Sequence, residues 1–579
     1  MAQKSKPRTS KRSSYRGFEG VNLKKTHSGD ESISLIENFR ITDDGSLKKR
    51  CGFKEIYKSK ESTSPYCASY STVENGDEVC YFTQGYYVRR YNSATQTVTN
   101  IGRVSDDSTN IFFFEYLNSL YICDGEQIYT IKNNSIFRTS FYIPLYGKEW
   151  DNFGGEVNEA PNLLNYKIAI SYKLNSNPTS YLYLKGLNVK SIDAVYRNGS
   201  PLSKDAYSLN TTYNAVTVTE FAEGDLFFVV LTINPDDSYE NQRKALLNSA
   251  YASLFPELSK NNLFFWGNDL NSSIFYSAIV NEENAAITDK YTTNTRFYVP
   301  LNSYFSVGSD KDRVKSLIRH YDRVLIMTDS STWITNLTEL ESNSLRLKNI
   351  NASIGCVVKN GCARIENTIF SIGKDAIYAW SNDTDELNEC NAHSISEPIA
   401  DLLSEDFFKT CLIHLNYAKR EIWLYSPGES RVWIYSYARR AWYSFSGFSP
   451  TAFLEGGDTV RFLEGLTLYA FDESLNADAR NGEEVEIVAR LKSGELEFNS
   501  EQKKKLSSAT VRGAFSGGAL TLNALLDGQT KIVYSITPSK SHSVIPFRTK
   551  SGSFRALSFE LIASGKAEQI IHGIELYAD

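Results

Sequence analysis

The 579-residue chain has little of what most catalytic or membrane proteins display. It has only 2 Met and 14 Pro, which argues against a Met-rich adaptable surface and against a Pro-rich linker protein. Its six histidines, His27, His320, His393, His414, His542 and His572, form no His-x-His or His-Glu-x-x-His array. There is no Gly-x-Ser-x-Gly elbow and no Gly-Lys-Ser/Thr phosphate loop. A carboxylate pair for glycoside cleavage stays open, because such a pair is recognised by geometry rather than by sequence. The eight cysteines include no Cys-x-x-Cys. Most lie in apolar runs, as in Val79-Cys80-Tyr81, and read as buried thiols made in a reducing compartment. No cofactor or metal site is expected. The longest apolar runs, such as Leu226 to Ile233, fall far short of the roughly 20 residues that span a bilayer, and the polar N-terminus does not read as a secretory signal.

What the chain has is aromatic side chains, 13% of the total, with 36 Tyr and 32 Phe. Aromatics suit half-buried pleated surfaces, so strands are expected. Charge is unevenly placed. Residues 1–25 carry eight basic side chains (Lys4, Lys6, Arg8, Lys11, Arg12, Arg16, Lys24 and Lys25) against Glu19 alone, a net of +7. The whole chain is −6, which leaves −13 for the rest. A basic arm on an acidic body reads as a partner-binding segment, for an acidic subunit or for nucleic acid, or as a solvated terminus. Lys4, Lys6, Arg8, Lys11, Arg12 and Arg16 are its candidate contacts.

Short strands punctuated by Asn, Asp or Gly turns recur along the chain. The clearest copies are Ile111 to Thr130, Val314 to Ile334, Arg364 to Trp380 and Leu412 to Tyr435. Weaker ones lie at Val79 to Tyr91, Leu263 to Tyr276 and Phe453 to Phe471. Spacings of 40-odd to 50-odd residues between the later copies match a propeller blade, a four-stranded sheet that buries its faces only against neighbours. Between Asn162 and Thr232 alternating strands replace the repeat, with an Asn198-Gly199 hairpin signal. From Glu484 onward long alternating strands read as a separate sandwich, and Lys503 to Lys505 read as a solvated turn within it. Short helices are expected at Leu246 to Leu258 and Ile399 to Phe408.

The pattern predicts an all-β chain: a β-propeller of six to eight blades with an inserted small β-sandwich and a C-terminal β-sandwich. The expected boundaries are an N-terminal arm over 1–30, propeller over 31–150 and 240–478, the insertion over 151–239, and the terminal sandwich over 479–579. The first strand region, Leu35 to Phe39, is expected to pair with late blades.

Several segments carry a resemblance. These are Phe18 to Leu23, Ile36 to Phe39, Gly45 and Lys48 to Gly52 in the leader, with Cys51 where Pro is frequent. Further on come Ile354-Gly355-Cys356 with Ile369-Phe370-Ser371, Gly373 and Ile377-Tyr378, then Trp433-Ile434-Tyr435 with Ala441-Trp442. Ala489 to Leu491, Gly494 to Phe498, Lys503 to Leu506 and Ile574 to Leu576 add a softer match. Together they resemble the tail-nozzle and packaged-DNA stabilisation proteins of tailed bacteriophages, the head-to-tail connector family. That resemblance implies a structural virion protein, made in the host bacterial cytoplasm, forming a homo-hexameric ring with other tail, portal or adaptor proteins. It implies a channel that double-stranded DNA passes, help in retaining the genome, no cofactor and no catalysis. An acidic body would favour passage of DNA over retention.

Two other readings stand beside it. A carbohydrate-binding or adhesive propeller would offer Trp150, Trp266, Trp333, Trp380, Trp423, Trp433 and Trp442 as stacking platforms. A direct DNA binder would use Arg8, Lys11, Arg12 and Arg16 and show steep salt dependence.

Overall fold

The computed structural model describes residues 11–579, apart from 25–31, 61–67, 106–109, 294, 310, 343–344, 381–390, 499–501, 529, 539–543 and 549–551. Lys4, Lys6, Arg8, His27, His542, Cys67 and Cys390 lie outside the described residues. The chain is all-β, a β-propeller with an inserted and a terminal sandwich. It divides into two compact units, residues 1–100 with 354–579, and residues 101–353.

The first unit holds four propeller sheets. One is Ser69–Glu74, Asp77–Gln84, Tyr87–Asn92 and Thr97–Arg103, whose last residues run into the second unit. The next two are Cys362–Ile365 through Ala392–Ser394, and Leu412–Asn416 through Ala441–Ser446. The fourth takes three strands, Ala452–Leu454, Arg461–Glu464 and Thr467–Asp472, from late sequence and its outer strand, Gly52–Lys58, from the start of the chain. Phe53 of that strand is fully buried, with edge-on contacts to Phe448, Phe462, Tyr469 and Phe471 at 5.1–5.8 Å. The second unit holds three sheets, Phe112–Tyr116 through Ser135–Arg138, Tyr251–Leu254 through Tyr304–Ser306, and Val314–His320 through Lys348–Asn351. All seven repeats seen in the sequence fall in these sheets. Their middle strands are apolar on both faces because both faces are covered; Leu325, Ile326 and Met327 are all fully buried.

The insertion begins at Leu145–Trp150, not at 151, and that strand runs parallel to Lys167–Lys173. Leu226–Ile233 and Val189–Arg197 complete its larger sheet with Ser200–Pro201, and Tyr181–Tyr183, Ala215–Val218 and Tyr207–Asn210 form the smaller one. Asn198 and Gly199 both have positive φ, 49° and 86°, as a two-residue hairpin turn demands. The helix expected at Leu246 to Leu258 lies earlier, at Asp237–Leu247. Asp236 caps it by accepting from Tyr239 N at 2.8 Å, and Tyr251–Leu254 is a strand. Ile399 to Phe408 splits into a 3-10 turn, Glu397–Leu402, and a short helix, Glu405–Thr410, capped by Ser404.

The terminal sandwich corrects the expected boundaries most. Its residues from 489 onward are joined by the first strands of the chain. Ile33–Glu37 pairs antiparallel with Ala489–Ser493 and, at Glu37 opposite Ser444, parallel with the propeller strand Ala441–Ser446. One sheet thus runs continuously from Leu412–Asn416 to Thr530–Ile536. Leu35 to Phe39 does meet a late blade, but the strand that completes a propeller sheet is Gly52–Lys58. The second sheet of the sandwich contains Phe39–Ile41, Leu47–Lys49, Gln569–Ala578, Leu506–Phe515 and Val544–Arg548, and Lys11–Arg16 pairs with Gln569–Ala578 along its whole length. Residues 11–16 are therefore a strand rather than part of an arm. Lys504, expected in a solvated turn, is buried and donates to Arg555 O at 3.2 Å.

Where leader, propeller sheet and sandwich meet, Arg50 is buried with 1% of its side chain exposed. Its guanidinium grips both carboxylate oxygens of Asp478 at 2.7 Å and donates to Asn38 Oδ1, Cys51 O and Ser446 O at 3.0–3.1 Å. All five donors are used. Removing the carboxylate strands a buried cation, so Asp478→Ala is expected to cost about 3–5 kcal/mol, read as a lower urea midpoint of the full chain. A midpoint within experimental error of the parent would contradict this assignment.

Candidate interaction site

The basic strand Lys11–Arg16 alternates inward and outward, as strand geometry requires. Tyr15 points in, 3% exposed, its ring edge-on to Phe559 at 5.3 Å. Arg12 and Arg16 point out and converge on one carboxylate, Glu575, at 2.6 and 2.5 Å. Arg512 adds a third guanidinium at 3.5 Å, and the Tyr577 hydroxyl donates to the other oxygen at 3.1 Å. Glu575 is itself 3% exposed, whereas the three arginine side chains are 46–60% exposed. Three guanidiniums against one carboxylate leave two positive charges in surplus on this sheet face. The hydrogen bond from Arg16, with those from Tyr577 and Arg512 and the charge of Arg12, holds the Glu575 carboxyl down at about 2.

Arg16 also lines a cleft of about 480 Å³ with Gly17, Glu19, Gly20, Arg439 and Arg440. Gly20 has φ +97°, and a Cβ there would meet Trp442 N at 2.8 Å, so the leader approaches the propeller strand backbone to backbone. Val21 N donates to Trp442 O at 2.9 Å.

Of the residues expected to bind a partner, Arg12 and Arg16 are thus brought together, Lys11 lies on the same strand, and Lys4, Lys6 and Arg8 fall outside the described residues. Glu575, Arg512, Arg439 and Arg440 were not anticipated. The alternation Arg12-x-Ser14-x-Arg16 was the available signal for the outward face of a strand.

A second cleft, about 560 Å³, is lined by charges of both signs, among them Arg40, Lys54, Glu78, Arg461, Asp472 and Glu473. Behind the lining residues Arg40, Asn416 and Trp423, Glu421 accepts from Arg40 Nη2 at 3.2 Å, Trp423 Nε1 at 2.9 Å, Tyr443 Oη at 2.5 Å and Asn416 Nδ2 at 3.3 Å. Burial, reinforced by that carboxylate, pushes the Tyr443 phenol well above its ordinary value. A carboxylate so fully engaged holds strands together rather than taking a proton from a substrate. His414 stacks on Phe453 at 4.9 Å, and burial lowers its pKa to about 4. Among the described residues no group of three or more His, Cys, Asp or Glu is placed to hold a metal ion, and no helix is long and apolar enough to cross a membrane.

The tryptophans do not serve as surface platforms. Trp150, Trp266, Trp380, Trp423, Trp433 and Trp442 are 1–3% exposed, and Trp333 is half-buried. Trp442 Nε1 donates to Ile395 O at 2.7 Å and Trp380 Nε1 to Ser371 Oγ at 2.9 Å. Trp150 packs in the insertion against Tyr172, and the others pack the blades.

No protein-family model matches the chain, and neither does any curated protein. Among solved structures it is similar to the AfRom2 CNH domain, at 7% identity and a TM-score of 0.35, over 73% of this chain and 99% of that one. It is also similar to the WD40 domain of Toxoplasma gondii coronin, at 9% identity and a TM-score of 0.31, over 80% of this chain and 90% of that one. At such scores neither likeness bears on what this chain binds or does.

The Glu575 cluster sets a pH dependence. Its carboxyl sits near 4.5 when unpaired and near 2 when folded, so the attachment of strand Lys11–Arg16 is at full strength above about 4.5 and is lost as pH falls towards 2. Amide exchange of Ser13 to Arg16 is expected to accelerate over that window relative to Gln569–Ala578. In Glu575→Gln it should be fast already at neutral pH. Unchanged exchange in that variant would show that the arginines do not fasten the strand.

Proposed function

We propose that this chain is a structural virion protein of a tailed bacteriophage, a tail nozzle or a nearby ring or adaptor, with no chemistry of its own. One observation carries the reading. The two most telling stretches of the resemblance, Gly17 to Phe53 and Val432 to Phe445, lie about 400 residues apart in sequence, and they are hydrogen-bonded to one another. Asn38 N donates to Ser444 O at 2.8 Å, Val21 N donates to Trp442 O at 2.9 Å, and Glu37 pairs with Ser444. Asn38 is buried with φ 57°; its amide accepts from Arg50 and from Ser446 N, and donates to Val488 O and Ser446 Oγ. Segments that resemble one family's leader and late blade strand therefore form one joint. That supports a shared structural plan more than two independent coincidences would.

On this reading the propeller and its two sandwiches build a ring, the homo-hexamer that the resemblance implies, around a path for double-stranded DNA. The −13 of the chain beyond its first 25 residues disfavours capture of the DNA in transit. Lys11–Arg16 ties the basic segment to the terminal sandwich. The preceding Lys4, Lys6 and Arg8 are the contacts we assign to an acidic neighbouring tail or portal protein.

Cross-linking mass spectrometry on purified particles of the virus that encodes the chain tests this. The expected result is the chain in fixed stoichiometry in the tail, with cross-links from Lys4 or Lys6 to a different tail protein. Particles that lack the chain would overturn the proposal.

A further inference from the structure

The inserted sandwich carries a row of aromatic rings that neither the core nor the propeller uses. Tyr181 and Tyr183 stand two apart on one strand, so they share a face while Leu182 between them is buried in the core. Phe153, from the turn after Leu145–Trp150, lies 6.0 Å from Tyr183 with ring planes 15° apart. Tyr183 and Tyr181 are 6.1 Å apart, and Tyr213, from the turn between Tyr207–Asn210 and Ala215–Val218, is 5.1 Å from Tyr181. Four rings thus follow one another in unbroken contact. Their ends are open: Phe153 is 60% and Tyr213 53% exposed. Ala215, opposite Tyr183 in the ladder, is fully buried.

The chemistry of the row is neutral. Its members are Phe and Tyr, and the nearby Lys185 ammonium is occupied by Gly155 O at 2.5 Å. A polyanion such as nucleic acid needs free cations, and the Lys185 ammonium is engaged by the backbone. Polar groups without partners do occur. Among the described residues the hydroxyls of Tyr181, Tyr183 and Tyr213 make no hydrogen bond.

We propose that this face binds a neutral polysaccharide. A hexopyranose has an apolar face of C–H groups and a rim of hydroxyls. Rings spaced 5.1–6.1 Å apart offer successive sugar units one face each. The tyrosine hydroxyls supply hydrogen-bond partners at the rim. The site is independent of the ring proposed above; it is a surface of the insertion alone.

Affinity electrophoresis of the full chain in gels containing hydroxyethylcellulose, galactomannan, laminarin or dextran tests it. At least one polymer is expected to retard the protein. Phe153→Ala/Tyr213→Ala, at two exposed turn positions, should leave the melting temperature unchanged and weaken that retardation by about tenfold or more. Phe153→Trp should preserve it. No retardation by any polymer, or equal retardation of the double variant, would overturn the assignment. So would a double variant that sediments as a smaller species while the parent binds no polymer, since the face would then be a protein contact.

Discussion

The fold hinges on one buried ion pair. Arg50 reaches Asp478, Asn38 and Ser446 at once, and these belong respectively to the link that follows the last propeller sheet, the leader, and the propeller strand that continues into the sandwich. A buried guanidinium is costly unless every donor is met. Here the geometry meets all five, so the pair specifies a single arrangement of three segments that are remote in sequence. Phe53 and Phe448, with ring centroids 5.7 and 5.6 Å from the same guanidinium, exclude water from it.

From that joint the rest of the first unit follows. Arg50 fixes the path of the chain into Gly52–Lys58, which completes the sheet of Ala452–Leu454, Arg461–Glu464 and Thr467–Asp472 and covers an edge that would otherwise be open. On its other side the leader enters the sandwich twice, as Ile33–Glu37 in one sheet and as Phe39–Ile41 with Leu47–Lys49 in the other. The early strand Lys11–Arg16 and the late strand Gln569–Ala578 thereby lie side by side in the same domain. The aromatic row of the insertion is a surface addition, separate from this joint.

Local structure was legible because it is written locally. Lys167–Lys173 and Ala519–Leu526 alternate or run apolar over their own length, and the Asn198-Gly199 turn announces its hairpin. The repeated hairpins were legible because each is built from neighbouring stretches of sequence. What was not legible is pairing across hundreds of residues. Nothing near Arg12 says that its carboxylate is Glu575, 563 residues away, and nothing in Arg439-Arg440 says that they face the leader. Lys504 looked like a turn residue because its burial depends on Phe554 and Arg555, about 50 residues away. Most tryptophans fall in strand-like repeats, so their packing role was legible, and Trp266, Trp380, Trp423, Trp433 and Trp442 are buried. The helix was misplaced because the apolar content of Leu246 to Leu258 outweighed the Asp236 cap in the reading, whereas the cap decides where the helix begins.

We propose that copies of this chain assemble into a collar with an axial opening. Electron microscopy of the purified full-length protein, and of tails that contain it, tests that claim most directly. The account predicts closed rings of identical subunits around a central hole wide enough for duplex DNA. Particles in which the chain occurs singly, or only as a peripheral appendage with no opening through its assembly, would contradict it.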